Sequence, residues 1–265
     1  MAILIIGMGT VSVVSHIKSK HALTKVIVDE IENVAQTTVL SMSSWINGRM
    51  LDVNNWSKQG VYQKALINSF LGVTARSFAN EQLNRIKTDY GYYKDILLAD
   101  NSGDIVAASN PDLAGKLNVS DRVYFQKAMA GHTFVTKHVL TSKLDGKLVV
   151  MISAPVMDGN VVAGVLFAVF EVNSLIGEFI DSIRIGKSGY AFMFLEKGFI
   201  VCNNENLSLC GKNIKEFNFG EKMIGVQKGT LDINFDGITM TTSLRKLDKM
   251  NWTIVVCAVN DEVFH

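Results

Sequence analysis

A strand–turn–strand pattern occurs twice in this chain, and that duplication narrows the choice of fold more than any other feature. Residues 93–99 (YKDILLA) read as a strand, Asp100-Asn101-Ser102-Gly103 as a turn, and residues 104–109 (DIVAAS) as the returning strand. Residues 190–195, the Lys197-Gly198 turn and residues 199–203 repeat it. The following loop repeats as well. NPDLAGKL at 110–117 is echoed by NENLSLCGKNI at 204–214, so Gly103 recurs as Gly198 and Gly115 as Gly211, at offsets of 95 and 96 residues. Strands at 134–140, 148–155 and 161–172 complete the first copy, and strands at 230–235, 238–244 and 252–259 the second. Short turns such as Asp158-Gly159-Asn160 join them, which makes the sheets antiparallel. Two such copies predict two modules, each with its own sheet. Helices are expected at 124–130 and 175–185.

The chain before residue 91 follows a different period. Leu23, Val26, Ile27, Ile31, Val34, Val39, Trp45, Ile46 and Met50 recur at helical spacing, and no proline interrupts them. A helix is predicted over 22–56, with others at 61–70 and 78–90. At 1.5 Å per residue the first would be about 50 Å long, the length of a stalk rather than of a compact-domain helix. Residues 2–15 (AILIIGMGTVSVVS) are uncharged and are followed by His16, Lys18 and Lys20. A bilayer span takes about 20 apolar residues, so this run reads as the outer part of a transmembrane helix, the alternative being the start of a buried helix. It has neither the basic leader nor the cleavage site of a signal peptide.

Composition removes several functions. The chain has 265 residues, with Lys plus Arg (26) balancing Asp plus Glu (25), which gives no basic stripe for nucleic acid. Hydrophobic residues make up 48%, enough for a packed core. Cys202 and Cys210 either pair or stay free thiols, and Cys257, inside IVVCAV, reads as a buried hydrophobe. No cysteine or histidine spacing suggests a metal, and no cofactor is expected. Gly186-Lys187-Ser188 lacks the earlier glycine of a phosphate loop, since that position is Asp181. Gly7-Met8-Gly9 has Ser12 where a dinucleotide fingerprint needs glycine. No nucleophile constellation is visible, so an enzyme is not expected.

The stretch Asp121-Arg122-Val123-Tyr124-Phe125 carries the most chemistry. A guanidinium offers a planar fork to a carboxylate, and neighbouring rings can wall a small ligand. Alternatively, Arg122 pairs with Asp121 or a helix carboxylate and the rings fill the core.

Together these segments resemble the double-Cache (dCache_1) sensor domain of bacterial transmembrane receptors, above all methyl-accepting chemotaxis proteins. The carriers are SWINGRM (44–50), LLADNSGDIVAAS (97–109), DRVYFQKAMAG (121–131), VVMISAPV (149–156), VAGVLFAVFEV (162–172) and IGKSGYAFMF (185–194). The resemblance implies an α+β fold, a long N-terminal helix with two stacked PAS-like modules, each an antiparallel sheet flanked by helices. It divides the chain into a truncated membrane-helix remnant (1–15), a stalk helix region (16–72), a membrane-distal ligand-binding module (73–180) and a membrane-proximal module (181–265). Family members that bind α-amino acids carry an Arg-x-Trp-Tyr element. Arg122 stands at its Arg, Tyr124 replaces the Trp, and Phe125 replaces the Tyr. Glu171 lies near the position of the amine-binding Asp, and Leu140 and Ser142 fall on further Tyr and Asp positions. The implied ligand-binding set is Arg122, Tyr124, Phe125, Asp121, Tyr93, Leu140, Ser142, Met151, Ser153 and Glu171. The implied ligand is a small carboxylate-bearing metabolite, an organic acid or amino acid. The implied protein is a homodimeric chemoreceptor of the inner membrane, held by flanking transmembrane helices, with this domain periplasmic or extracellular. A histidine kinase or cyclic-dinucleotide enzyme could carry the same sensor.

Overall fold

The computed structural model describes the backbone of residues 2–201 and 208–260, and the side chains of Lys18, 22–201 and 208–260. The first helix, α1, runs unbroken over Ala2–Trp56, extending at its N-terminal end beyond the predicted 22–56. Ile31, Ala35, Thr38, Met42, Ile46, Val53 and Trp56 form its buried seam, with the spacing of one helix face. The membrane reading of residues 2–15 rests on side chains outside the described residues. Among the described residues, no helix is long and apolar enough to cross a membrane.

Next come α2 (Gly60–Ala65) and α3 (Phe70–Tyr90). The single helix expected over 61–70 is divided because Ser69 starts a new one. Its backbone is extended, and its hydroxyl accepts from the Gly72 amide at 3.2 Å, an N-cap. Phe70 therefore opens α3, which also absorbs the helix predicted at 78–90.

The chain divides into two compact units, Met42–Leu175 and the combination of Met1–Ser41 with Ile176–His265. The division falls inside α1 and inside a later helix.

The Met42–Leu175 unit holds β1 (Asp95–Asp100), β2 (Ile105–Ala108), α4 (Val123–Met129), β3 (Phe134–Val135), β4 (Leu140–Thr141), β5 (Leu148–Asp158) and β6 (Val161–Glu171). Their antiparallel order is β2-β1-β6-β5-β3, with β4 also on β5. One face carries Ile96, Leu98, Ile152 and Phe170. Trp45 of α1 meets Phe170 edge-on at 5.1 Å. The other face carries Leu97, Val149, Phe167 and Val169, which join Tyr124, Phe125 and Ala128 of α4 in one core cluster. The strand expected over 134–140 is two short pairings, since the Thr136 hydroxyl takes the Met151 amide at 3.1 Å.

After α5 (Val172–Phe179), the other unit holds β7 (Arg184–Ile185), β8 (Gly189–Phe194), β9 (Ile200–Val201), α6 (Gly220–Ile224), β10 (Lys228–Phe235), β11 (Ile238–Leu247) and β12 (Trp252–Val259). The order is β10-β11-β12-β8-β7, antiparallel, with β9 on β8. The helix expected over 175–185 stops early, because Arg184 and Ile185 pair with Tyr190 and Gly189. Phe192, Leu244, Val255 and Cys257 lie in its core. Cys257 is a free, fully buried thiol whose pKa burial pushes up. The Cys202–Cys210 question falls on Cys202, which lies outside the described residues.

The duplication reaches individual hydrogen bonds. Asn118 Nδ2 donates to the Ser102 carbonyl at 3.0 Å, and Asn213 Nδ2 donates to the Lys197 carbonyl at 3.0 Å. The Val119 amide reaches the Gly103 carbonyl at 2.9 Å, and the Ile214 amide reaches that of Gly198 at 2.7 Å. Each hairpin turn is thus clamped by a later asparagine. Gly103 has φ 86, and a Cβ there would lie 2.6 Å from the Ser120 amide nitrogen. We expect Gly103→Ala to cost roughly 1–3 kcal/mol through backbone strain and collision. Gly115→Ala, with φ 73 but open space around its Cβ, should cost less. Urea unfolding of the two variants measures the difference, and equal midpoints would show that the clamp is not tight.

Candidate functional site

Arg122 is the N-cap residue of α4, with extended backbone (φ −90, ψ 134) and a side chain that does not cap the helix. Its amide donates to the Val119 carbonyl at 2.9 Å, and its carbonyl accepts from the Gln126 amide at 3.0 Å. The helix start therefore fixes the backbone of Arg122 and leaves the guanidinium uncommitted. Tyr124, Phe125 and Ala128 are buried. The Ser153 hydroxyl donates to the Tyr124 carbonyl at 2.8 Å, which ties α4 to β5.

A pocket lies between α4, the sheet and the 140–144 segment, with about 530 Å³ of empty space including its open mouth. Its floor follows from strand register. Leu97 stands opposite Phe167, and Met151 opposite Val169, so all four share one face. Leu117, Val119, Leu140, Leu144 and Tyr124 complete the apolar lining. The Tyr124 ring tilts against Phe167 at 5.1 Å.

Charge is concentrated around this lining. Lys94, with a side chain only 12% exposed, contacts Asp145 and, at 3.1 Å, Glu171. Lys147 meets Glu171 at 3.0 Å, and Lys143 meets Asp121 at 3.1 Å. Asp95 takes Lys87 at 3.0 Å and the Ser109 hydroxyl at 3.2 Å. Hydrogen bonding from Lys94 brings the Asp145 pKa down to about 2. Burial pushes Glu171 up, but bonds from Lys147 and Lys94 hold it below the usual carboxylate range. Burial likewise pushes Lys94 down, and its bonds to Asp145 and Glu171 more than offset that. Asp121 is lowered chiefly by its hydrogen bond from Lys143.

Arg122 differs from these cations. Its nearest carboxylate oxygen is that of Asp121, 3.8 Å from Nε, and Asp121 is engaged by Lys143. Among the described residues the guanidinium makes no hydrogen bond of the normal 2.7–3.2 Å kind. The Tyr124 hydroxyl is also without a hydrogen-bond partner among them, and burial raises its pKa, so it remains a donor. A half-buried free fork beside a phenol over an apolar floor can receive a carboxylate.

Of the expected set, Arg122, Tyr124, Leu140, Ser142 and Met151 come together as pocket lining. Asp121 lies beside Arg122 at the rim, held by Lys143. Glu171 is held by two lysines outside the lining. Phe125 fills the core cluster, one helical step from Tyr124, and Ser153 is fully buried under the Tyr124 carbonyl. Tyr93 joins a ring cluster, 4.8 Å from Phe170 and 5.6 Å from Trp56, away from the pocket. The alternative reading describes both rings, which lie in the core cluster, and part of the guanidinium, whose Nε stands 3.8 Å from an Asp121 oxygen without a hydrogen bond to it.

Sequence reasoning missed Lys94, Lys143 and Leu144, and the floor residues Phe167 and Val169. β6 is apolar on both faces from Val165 to Phe170, which marks a buried strand but not which of its side chains face the pocket.

Residues 19–265 match the family dCache_1, described as Cache domain. No curated protein matches the chain. Among solved structures, the chain is similar to the ligand-binding domain of the Campylobacter jejuni chemoreceptor Tlp3 in complex with L-valine. The TM-score is 0.73 at 13% identity, covering 93% of this chain and 98% of that one. It is also similar to the ligand-binding domain of the Pseudomonas aeruginosa PAO1 amino acid chemoreceptor PctB in complex with L-Arg. There the TM-score is 0.64 at 18% identity, covering 88% and 95%. The extracellular domain of a histidine kinase gives 0.66 at 12% identity, covering 91% and 100%. At these identities the likeness establishes the fold, an α+β arrangement with a long N-terminal helix and two antiparallel sheets. With the family match running over residues 19–265, the chain belongs to the dCache_1 family of Cache domains, extracytoplasmic ligand-binding sensors of signal transduction.

Proposed function

We propose that this chain is the sensor of a transmembrane chemoreceptor and binds a small carboxylate-bearing metabolite in the pocket at Arg122. The observation that carries this reading is a guanidinium that makes no hydrogen bond among the described residues and stands over an apolar floor. The similar chemoreceptor domains hold L-valine, L-Arg and GABA, all of which bear a carboxylate. The domain works outside the inner membrane, as part of a homodimer that meets along residues 22–56, and it does not catalyse a reaction. The likeness to histidine kinase extracellular domains favours a second reading, in which the same sensor drives a kinase.

Thermal unfolding of the domain against panels of organic acids, amino acids and amines tests the ligand reading. A ligand at a hundredfold excess over its Kd stabilises by about 2.7 kcal/mol, which moves the midpoint by several degrees. Carboxylates should produce this shift and simple amines should not. Stabilisation by amines alone would overturn the assignment. Ligand-dependent adaptation methylation in the full-length receptor, against autophosphorylation, separates the two outputs.

A further inference from the structure

We propose that the pocket selects a monocarboxylate with a short apolar chain and no ammonium group. This rests on the carboxylate reading of the site and narrows its ligand class.

An α-amino acid brings one charge of each sign, so its site gains most from a free cation and a free carboxylate. Around this pocket every carboxylate among the described residues already has a lysine. Asp121 has Lys143 at 3.1 Å, Asp95 has Lys87 at 3.0 Å, Asp145 has Lys94, and Glu171 has Lys147 at 3.0 Å. Among the described lining cations, Arg122 is the one without a hydrogen-bonded carboxylate, its contact being 3.8 Å from an Asp121 that Lys143 already holds. An incoming ammonium would join a carboxylate whose charge a lysine already offsets, or displace that lysine, and gains less there than at an unpaired carboxylate. Displacing Lys94 would leave a largely buried ammonium short of partners, and loss of a buried charge's partner is strongly unfavourable. A dicarboxylate meets the converse problem, because it needs a second free cation. Of the lining hydroxyls, that of Ser142 already accepts from the Leu144 amide at 3.2 Å and bonds to Asp145, and that of Tyr124 is a neutral phenol that cannot replace a carboxylate as partner to an ammonium. What remains is a floor of Leu97, Met151, Phe167 and Val169, which suits an aliphatic chain.

Isovalerate and L-valine differ only by the ammonium group, and succinate adds a second carboxylate. Calorimetry on the whole chain should show isovalerate binding tighter than either by about tenfold or more, the scale of leaving a buried charged group unpaired. L-Valine or succinate binding as tightly as isovalerate would overturn the inference and leave the carboxylate reading standing. Binding of the neutral amide of isovalerate as tightly as the acid, or no binding by any carboxylate, would overturn both. Lys94→Met supplies a second measurement, because it releases Asp145 and frees Glu171 from one of its two lysines. It should raise the affinity for L-valine relative to isovalerate. An unchanged ratio in the folded variant would show that the lysine pairs do not exclude the ammonium, and the inference would fall.

Discussion

Arg122→Ala is expected to weaken carboxylate binding by roughly 2–5 kcal/mol, the usual cost of removing one partner of a buried charged hydrogen bond. The Arg122 side chain keeps 26% of its surface exposed, which places the expectation in the lower half of that range. Among the described residues of the lining, no other cation is free to substitute. Lys94 and Lys143 are held by Asp145, Glu171 and Asp121, and recruiting either would break an existing pair. Arg122→Lys keeps a charge but loses the planar fork, so its affinity should fall between those of the wild type and the alanine variant. Calorimetry reads both, with the fold checked by circular dichroism. The guanidinium makes no hydrogen bond to another described residue, so stability should barely change. Undiminished affinity in Arg122→Ala would remove the carboxylate assignment.

Phe167→Ala should destabilise the fold more than Gly103→Ala, Gly115→Ala or Met151→Ala. Phe167 sits on β6, between β1 and β5, and is 2% exposed. Its ring packs on Tyr124 and joins the sheet to α4. Truncation removes that contact and leaves a cavity beside a pocket, at a cost of about 3–5 kcal/mol. Met151, at a neighbouring position, is only partly buried, so its truncation removes less packing. Urea unfolding gives both values. A loss below about 1 kcal/mol for Phe167→Ala would mean that the sheet and α4 are not packed as one core.

The elements that could be read from sequence are those whose cause is local. The turns at Gly103 and Gly198 and the apolar strand runs joined by short turns announced two hairpin-built sheets, and both are present. The breaks were harder. α2 stops at Ala65, and Ser69 starts another helix by accepting from an amide three residues on, inside an otherwise continuous helical pattern. Arg184 and Ile185 leave the helical pattern because β8 offers them a strand partner. Within the site, Arg122 was legible as a cation beside two aromatics. Its freedom was not, since that depends on Lys143, 22 residues away, taking Asp121. Lys94 was invisible for the same reason. It meets Asp145 across 51 residues, and no local pattern encodes that pairing. Tyr124 and Phe125 show the limit most sharply. Adjacent helix positions point about 100° apart, so a pair that reads as one aromatic unit divides between pocket and core.

The pocket floor is also the core. Leu97, Phe167, Val169 and Tyr124 belong both to the lining and to the packed cluster beneath it. Any inherited change among them is selected twice, once for folding and once for sensing. The turn carrying Lys143 and Leu144 is under no such double constraint, since both side chains are exposed. Loop positions of that kind tolerate replacement far better than sheet positions do. A lineage built on this sheet can therefore acquire a new taste by rewriting a few turn residues, while the floor that holds the ligand's chain passes down almost unedited.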